Sequence, residues 1–297
     1  SVSTVFFMGS SAFMYAATLF VDMFKKLGLS SLWSWRAVFT IFVAIGIFCL
    51  LMCAYGFDEK EYVEGSIRPN DSLIKSFGIV LKNRNFVIFS LGDLFSYISL
   101  CFFETAMLYY ITMLLNIKES QVFYVLLAAI VTAIVLFPVI LKMCKKFSKK
   151  LPLIIASAVF TVVFAFIYFG DKIASLFPGN ELVVGIIVGI AVAFPFAAIN
   201  ILPQSVISDI IQLDCMESGV NREGIFSAVK TFLEKIAVSV AMMIVSSVLA
   251  VGAASGEAVG LQGVKLTGIY AGIFSLLSLV LFVLYDDKRV TEGIKKH

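Results

Sequence analysis

The residues with the clearest chemical potential in this sequence are ionisable side chains that lie inside long apolar stretches. They are Asp93, Glu104, Lys230, Glu234 and Lys235. On insertion scales, an unpaired charge at the centre of a bilayer costs about 2.5–3.5 kcal/mol. We therefore expect these side chains to face protein or water, and to mark the pathway of a solute or an ion.

The first two of these groups share a helix face. Asp93 and Glu104 are eleven residues apart, which is about three helical turns, and Tyr97 lies between them on the same face. Counting about 1.5 Å per residue from one and the same membrane surface, the inner one, puts Asp93 at about 12 Å and Glu104 at about 28 Å. Lys235 would lie between them at about 17 Å. This geometry would let a carboxylate pair with an ammonium across a cavity.

The later stretch carries its own polar face. Thr231, Glu234 and Lys235 fall within about 100° of one another on a helix, and Lys230 points further round and nearer the membrane surface. An alternative stays open, in which Lys230 and Glu234 form an i, i+4 pair that only holds the helix in place. In that case Lys230 would reach the surface along its own apolar stem.

Two prolines flank a polar residue in another apolar stretch. Pro195 and Pro203 lie on either side of Asn200, and each proline frees a backbone carbonyl inside the membrane. The pattern predicts an interrupted, kinked helix that lines a cavity, unless neighbouring helices absorb the kink. Gly185 and Gly189 in the same stretch predict close helix packing.

The composition excludes several classes of enzyme. The single histidine, His297, is the last residue, and the five cysteines include no CxxC pair, so no metal site or histidine base is expected. No nucleotide-binding P-loop motif is present. Gly92-Asp93 is only weakly similar to the motif of intramembrane aspartyl proteases, so we expect a protein that is not an enzyme and needs no resident cofactor.

The chain predicts an all-α polytopic membrane protein. Of its 297 residues, 60% are apolar and only 14% are charged, with a mean hydropathy of +1.00. A spanning helix takes about 20 residues. The uninterrupted apolar runs predict eight spans near residues 1–22, 33–55, 86–115, 120–141, 151–170, 182–207, 224–251 and 266–285.

Lysines and arginines concentrate in alternate connections between these spans. Fifteen lie in the segments 60–84, 142–150, 222 and 288–296, against five at Lys25, Lys26, Lys118, Lys172 and Lys265. The positive-inside rule then places both termini in the cytoplasm, and we expect a plasma (inner) membrane location. No cysteine falls in an outer connection, which agrees with reduced thiols. The net charge of +3 does not suggest a nucleic-acid partner.

One segment carries a family resemblance. Residues 208–235 contain, in order, Asp209, Asp214, Glu217, Gly219, Arg222, Glu223, Gly224 and Lys235. This series resembles the loop between helices ten and eleven of the glycoside-pentoside-hexuronide cation symporters, the melibiose permease family of the major facilitator superfamily. The basic segment 142–150 is similar to the gate loop between helices eight and nine of that family.

The resemblance implies an architecture. The eight spans would correspond to helices five to twelve, with residues 1–55 as the last two spans of the N-terminal bundle, 56–85 as the central cytoplasmic loop and 86–297 as the six-span C-terminal bundle. Helices one to four, which hold the main cation ligands in the family, would be missing partners from the same protein. The coupling cation would be sodium or a proton.

The resemblance also implies residue roles. Lys235 would lie near the substrate and cation sites and Thr231 near the sugar. With the intramembrane polar groups, the expected pathway comprises Lys235, Thr231, Glu234, Glu104, Asp93, Tyr97 and Asn200. A cytoplasmic gate would comprise Asp209, Asp214, Arg222, Glu223 and Lys230. Asp93, Glu104 and Lys230 stand outside the family pattern, which leaves open a solute other than a neutral glycoside.

The functional expectation is a secondary transporter that couples the symport of a sugar or glycoside to a cation by alternating access. Two alternatives stay open. A transporter of the same family could carry a lysolipid or another amphiphile with sodium, or the chain could be a transport-inactive fragment.

Overall fold

The computed structural model describes residues 20–21, 23–28, 30–56, 73–254 and 258–296. The chain divides into two compact units, Ser1–Ile67 and Arg68–His297. In the first unit, helix α1 spans Ser31–Gly56, in agreement with the span predicted over 33–55. The span predicted over 1–22 lies almost entirely outside the described residues.

The described part of the second unit is built from helices. They are α2 (Leu73–Lys82), α3 (Arg84–Tyr109) with a following π-helical turn (Tyr110–Leu114), α4 (Glu119–Lys146), α5 (Lys150–Tyr168), α6 (Gly170–Leu176), α7 (Glu181–Ser218), α8 (Glu223–Leu249), α9 (Leu261–Leu284) and α10 (Asp287–Lys296). Asn83 separates α2 from α3, because its side chain accepts a hydrogen bond from the Phe86 amide (3.1 Å) and caps α3.

Seven of the described helices are long and apolar enough to cross a membrane: α1, α3 with its π-helical turn, α4, α5, α7, α8 and α9. The predicted all-α polytopic fold is therefore confirmed. Six of the seven belong to the second unit, and each coincides with a predicted apolar run.

Helix α7 corrects one expectation. It runs unbroken for 38 residues, about 57 Å, so Pro195 and Pro203 do not interrupt it. Asp209 and Asp214 consequently lie on this helix, and the predicted loop shrinks to residues 219–222. The extension is stable because apolar residues at helical spacing are buried along it: Val206, Ile207, Ile210, Ile211 and Leu213. Gly219 then ends the helix in the left-handed conformation (φ 68°), which glycine adopts at little cost.

Small residues allow the helices of the second unit to approach closely. A Cβ atom at Gly92 of α3 would lie 3.0 Å from the ring of Phe282 on α9. A Cβ atom at Gly189 of α7 would lie 3.1 Å from the carbonyl oxygen of Val125 on α4. The close packing predicted from Gly185 and Gly189 is thus confirmed, and the Gly92-Asp93 pair has a packing role for its glycine.

The connections between helices collect alternately at two ends. At one end Lys149, before α5, pairs with Asp209 of α7 (2.6 Å). We call this the basic end, because it also carries the lysines and arginines of segments 82–84, 142–150, 222 and 288–296. At the opposite end Lys265 pairs with Asp171 of α6 (2.6 Å), and this hydrogen bond lowers the pKa of Asp171. The sorting of charges made from the sequence therefore matches the geometry of the described connections.

Candidate functional site

Three ionisable side chains meet between α3 and α8. The ammonium of Lys230 lies 3.9 Å from Oδ2 of Asp93 and donates a hydrogen bond to Oε1 of Glu234, one helical turn away. We call Asp93, Lys230 and Glu234 the ion cluster. Beneath it, the rings of Phe86 and Phe226 meet edge to face, with centroids 4.8 Å apart, and this contact fixes the two helices against each other.

The ion cluster is largely removed from solvent. The side chain of Asp93 is 5% exposed and that of Lys230 is 11% exposed, whereas Glu234 is 28% exposed. These groups line a narrow crevice together with Ser90, Leu94 and Leu233. Because charges lose their hydration on burial, ionised Asp93 and Lys230 are costly here, and the opposite charges of the cluster offset part of that cost.

Ser90 adds a free hydroxyl to the crevice. It is 3% exposed, and its Oγ has no hydrogen-bond partner among the described residues. Ser90 lies one turn before Asp93 on the same face of α3. Buried hydroxyls are normally paired, so this one is available to accept a hydrogen bond from a neighbouring side chain that gains a proton.

Lys235 and Thr231 lie on a different face of α8. Both side chains are exposed, as is Ser239 one turn further on, and we call Thr231, Lys235 and Ser239 the polar stripe. Lys235 therefore does not take part in the pairing that its depth had suggested, and Asp93 meets Lys230 instead. Five residues on a helix correspond to a rotation of about 140°, which is why the two lysines point in different directions.

Glu234 lies at the border between the ion cluster and the polar stripe. It follows Lys230 by one turn and directly precedes Lys235. On the far side of the stripe the exposed residues of α8 become apolar, beginning with Phe232 and Ile236. Polarity thus changes gradually around α8, from buried charge through exposed polar groups to an apolar face.

Of the remaining pathway candidates, Tyr97 lies close to the ion cluster, whereas Glu104 and Asn200 lie apart from it. Tyr97 is half-buried one turn beyond Asp93, and Glu104 is exposed towards the opposite end. The Asn200 amide donates to the carbonyl of Phe196 on its own helix (2.9 Å). Asn200 therefore has a local helix contact, and no contact with the ion cluster is seen among the described residues.

The gate candidates lie at the basic end as two ion pairs. Arg222 donates from Nη1 to Oδ2 of Asp214 (3.1 Å), and Asp209 pairs with Lys149. The first pair is the more buried, with side chains 10% and 16% exposed. Glu223 is exposed in the first turn of α8, where the helix dipole favours a carboxylate. Lys230, which the sequence grouped with the gate, lies in the ion cluster.

The first turn of α10 adds a further carboxylate to this end. Burial raises the pKa of Asp287, and the neighbouring charge of Asp209 raises it further, while Lys150 and Lys149 act in the other direction. Lys150 also donates to the carbonyl of Tyr285 (2.6 Å). The hydrogen bond from Lys150 therefore ties the chain just before α10 to the start of α5.

Two residues of these sites were not singled out in the sequence. In the sequence, Lys149 is one of five lysines in the basic segment 142–150. Only its tertiary contact with Asp209 distinguishes it from the other four. Ser90 has one sequence signal, its i, i+3 spacing from Asp93. Serine is common enough in helices that this spacing alone does not indicate a site.

A comparison with curated proteins finds no match to this sequence. A family model described as "MFS/sugar transport protein" matches residues 1–286, which is nearly the whole chain. Its members are transporters that take small-molecule solutes, and the seven long apolar helices fit an integral, multi-pass membrane protein. The chain therefore belongs to the MFS/sugar transport protein family of the major facilitator superfamily.

Proposed function

We propose that this protein is a cation-coupled symporter that carries a sugar or glycoside across the plasma membrane by alternating access, with its basic end in the cytoplasm. The observation that carries the proposal is the family match over residues 1–286. The coupling cation is sodium or a proton. Coupling follows from linkage, because a cation and a solute that both favour one loaded state raise each other's affinity by the same factor.

The polar stripe of α8 supports a solute pathway along this helix. A lysine facing lipid near the centre of a bilayer would cost about 2.5–3.5 kcal/mol. Lys235 is exposed on the second unit, so its ammonium needs water or a polar partner. Thr231 and Ser239 lie on the same face and offer hydroxyls. A water-filled solute pathway would meet these needs.

In this proposal, Lys235 and Thr231 bind solute hydroxyls, and Glu234 connects them to the ion cluster. Asp93, Tyr97, Glu104 and Asn200 extend the pathway. Asp209, Asp214, Arg222 and Glu223 act in the cytoplasmic gate, where ion pairs form and break as the protein changes state, and Lys230 acts in the ion cluster.

Uptake into proteoliposomes tests the proposal. The chain would be reconstituted and supplied with labelled sugars and glycosides under an inward sodium or proton gradient. We expect accumulation above the equilibrium level for at least one solute. Lys235→Leu should abolish this accumulation while the protein stays folded, because the ammonium at the solute site is lost. Lys295→Leu, which removes an exposed lysine of α10, is the matched control and should transport normally.

The outcomes separate the alternatives. Accumulation of a lysophospholipid and not of a sugar would show that the transported solute is an amphiphile. Absence of uptake under every gradient would favour a transport-inactive fragment. Normal accumulation by Lys235→Leu would remove Lys235 from the transport mechanism.

A further inference from the structure

The ion cluster contains more acidic groups than basic groups. It contains two carboxylates, Asp93 and Glu234, and one ammonium, Lys230. When all three are ionised, one negative charge is left without a partner in a largely buried place. Such a charge is costly, and buried acids commonly avoid the cost by binding a proton.

The shape of the site favours a proton over a metal ion. Lys230 already lies between the two carboxylates, and its positive charge would repel a second cation. The crevice is narrow, and its lining includes Leu94 and Leu233, whose side chains offer no oxygen ligands. Sodium or another hard cation needs several oxygens around it, whereas a proton needs only one carboxylate and an acceptor for the new hydrogen bond.

The two carboxylates differ in their distance from the Lys230 ammonium. Glu234 accepts a direct hydrogen bond from the ammonium, while Asp93 lies 3.9 Å away. Asp93 is also the more buried, at 5% exposure against 28% for Glu234. Asp93 therefore loses more hydration and receives less compensation, so it is the group that gains most from a proton.

We propose that Asp93 reversibly binds one proton in the ion cluster and that this proton is a coupling ion of the transporter. On binding, an O–H bond forms on the Asp93 carboxylate and Lys230 stays paired with Glu234, so the cluster becomes neutral. The Ser90 hydroxyl, one turn away, provides an acceptor for the new O–H. On release, the proton returns to water, and Lys230 again serves both carboxylates. The coupling role rests on the proposed function, but the proton site does not.

Other titratable groups lie on α3 and on the helices packed against it. On its own helix these are Tyr97, Cys101 and Glu104, and on α8 they are Lys230 and Glu234, with Lys235 turned to the polar stripe. The other helices packed on α3 carry Lys82 (α2), Glu181, Asp209, Asp214, Cys215 and Glu217 (α7), and Lys265 and Tyr270 (α9). Of these, Asp209, Asp214 and Lys265 are engaged in ion pairs of their own.

Infrared spectroscopy of the purified chain, titrated from acidic to alkaline pH, tests the proton site without any transport. We expect the carbonyl-stretch band of a protonated, buried carboxylic acid, lost on alkalinisation. Asp93→Asn should remove this band. Glu234→Gln should keep it but move its midpoint to lower pH by about 1 to 3 units, because Lys230 would then serve Asp93 alone. Glu292→Gln, at an exposed residue of α10, is the matched control and should change nothing.

The same measurements can overturn the proposal. A band that persists in Asp93→Asn, or is lost in Glu234→Gln, would place the proton elsewhere. A midpoint that moves with sodium concentration would make the site a metal-ion site. If the band behaves as expected, transport tests coupling: Asp93→Asn should lose accumulation driven by a pH gradient but keep solute exchange at equal concentrations. Gradient-driven accumulation by Asp93→Asn would refute the coupling role, and absence of uptake by the unmodified chain would refute the proposed function alone.

Discussion

At the scale of single residues, burial distinguishes ion pairs that look alike in sequence. Asp209 and Asp214 are both carboxylates on the last turns of α7, and each has one basic partner. The Arg222–Asp214 pair is mostly buried, whereas Lys149 and Asp209 are 29% and 31% exposed. Breaking a buried pair leaves a desolvated charge without a partner, while breaking an exposed pair returns the charge to water.

This difference predicts unequal costs of mutation. Asp214→Ala should lower the free energy of unfolding by about 3 kcal/mol or more, because it isolates the buried Arg222 guanidinium. Asp209→Ala, the matched variant, should cost only about 0.2–1 kcal/mol. Thermal unfolding of the purified variants in one detergent would measure both. Equal losses of stability would show that burial does not set the strength of these pairs.

At the scale of elements, the junction of α8 and α9 depends on glycine. The amide of Gly260 donates to the carbonyl of Leu249 and that of Gly263 to the carbonyl of Val251 (both 2.9 Å). These bonds satisfy the carbonyl of the last residue of α8 and that of a residue in the turn that follows it, neither of which has a partner within the helix. A Cβ atom at Gly263 would lie 2.4 Å from the carbonyl oxygens of Val248 and Leu249, so the two helix ends can approach only at a glycine.

Alanine substitution should therefore have opposite effects at two helical glycines. Gly263→Ala should destabilise the protein by about 1–3 kcal/mol, because the backbone must move apart to admit the methyl group. Gly78→Ala on α2 meets nothing within 4 Å and should stabilise it by about 0.5–1 kcal/mol through helix propensity. Unfolding temperatures of the two variants check the signs. A neutral Gly263→Ala would mean that the junction is looser than its contacts indicate.

At the scale of the whole molecule, the charge of the connections predicts orientation. The basic end collects the lysines of segment 142–150, and the opposite end holds Lys118 and Lys265. Because lysine-rich connections are retained in the cytoplasm, we predict that the basic end faces inward. The packing of the helices is the same whichever end faces the cytoplasm. The orientation in the membrane must therefore be determined by a labelling experiment.

Cysteine labelling in intact cells gives that measurement. In a background in which the five native cysteines are replaced, Lys118→Cys should react with a membrane-impermeant maleimide added outside. Lys146→Cys should react only after the cells are opened. Both positions are exposed, so accessibility to solvent is matched and only sidedness differs. Labelling of Lys146→Cys in intact cells would show that the basic end faces outward, opposite to the proposed topology.

The sequence by itself determined the class of the protein and much of its layout. Apolar runs longer than a bilayer crossing dictate helices, since lipid offers the backbone no hydrogen-bond partner, and the described spans follow the predicted runs closely. The positions of the charged side chains inside those runs are also evident from the sequence alone. Both inferences rest on local properties, which the chain carries wherever it folds.

The tertiary structure alone decided which of these residues meet. Judged by depth in the membrane, Asp93 could pair with either of two lysines of α8. The packing of α3 on α8 places Asp93 next to Lys230 and leaves Lys235 on the polar stripe. The continuation of α7 through Pro203 likewise depends on the burial of Ile207 and Ile210 against other helices, which outweighs the local cost of proline. Which side chains meet depends on how each helix is rotated about its axis and packed against its neighbours. The sequence of one helix does not contain this information, because the neighbouring helix supplies half of each contact.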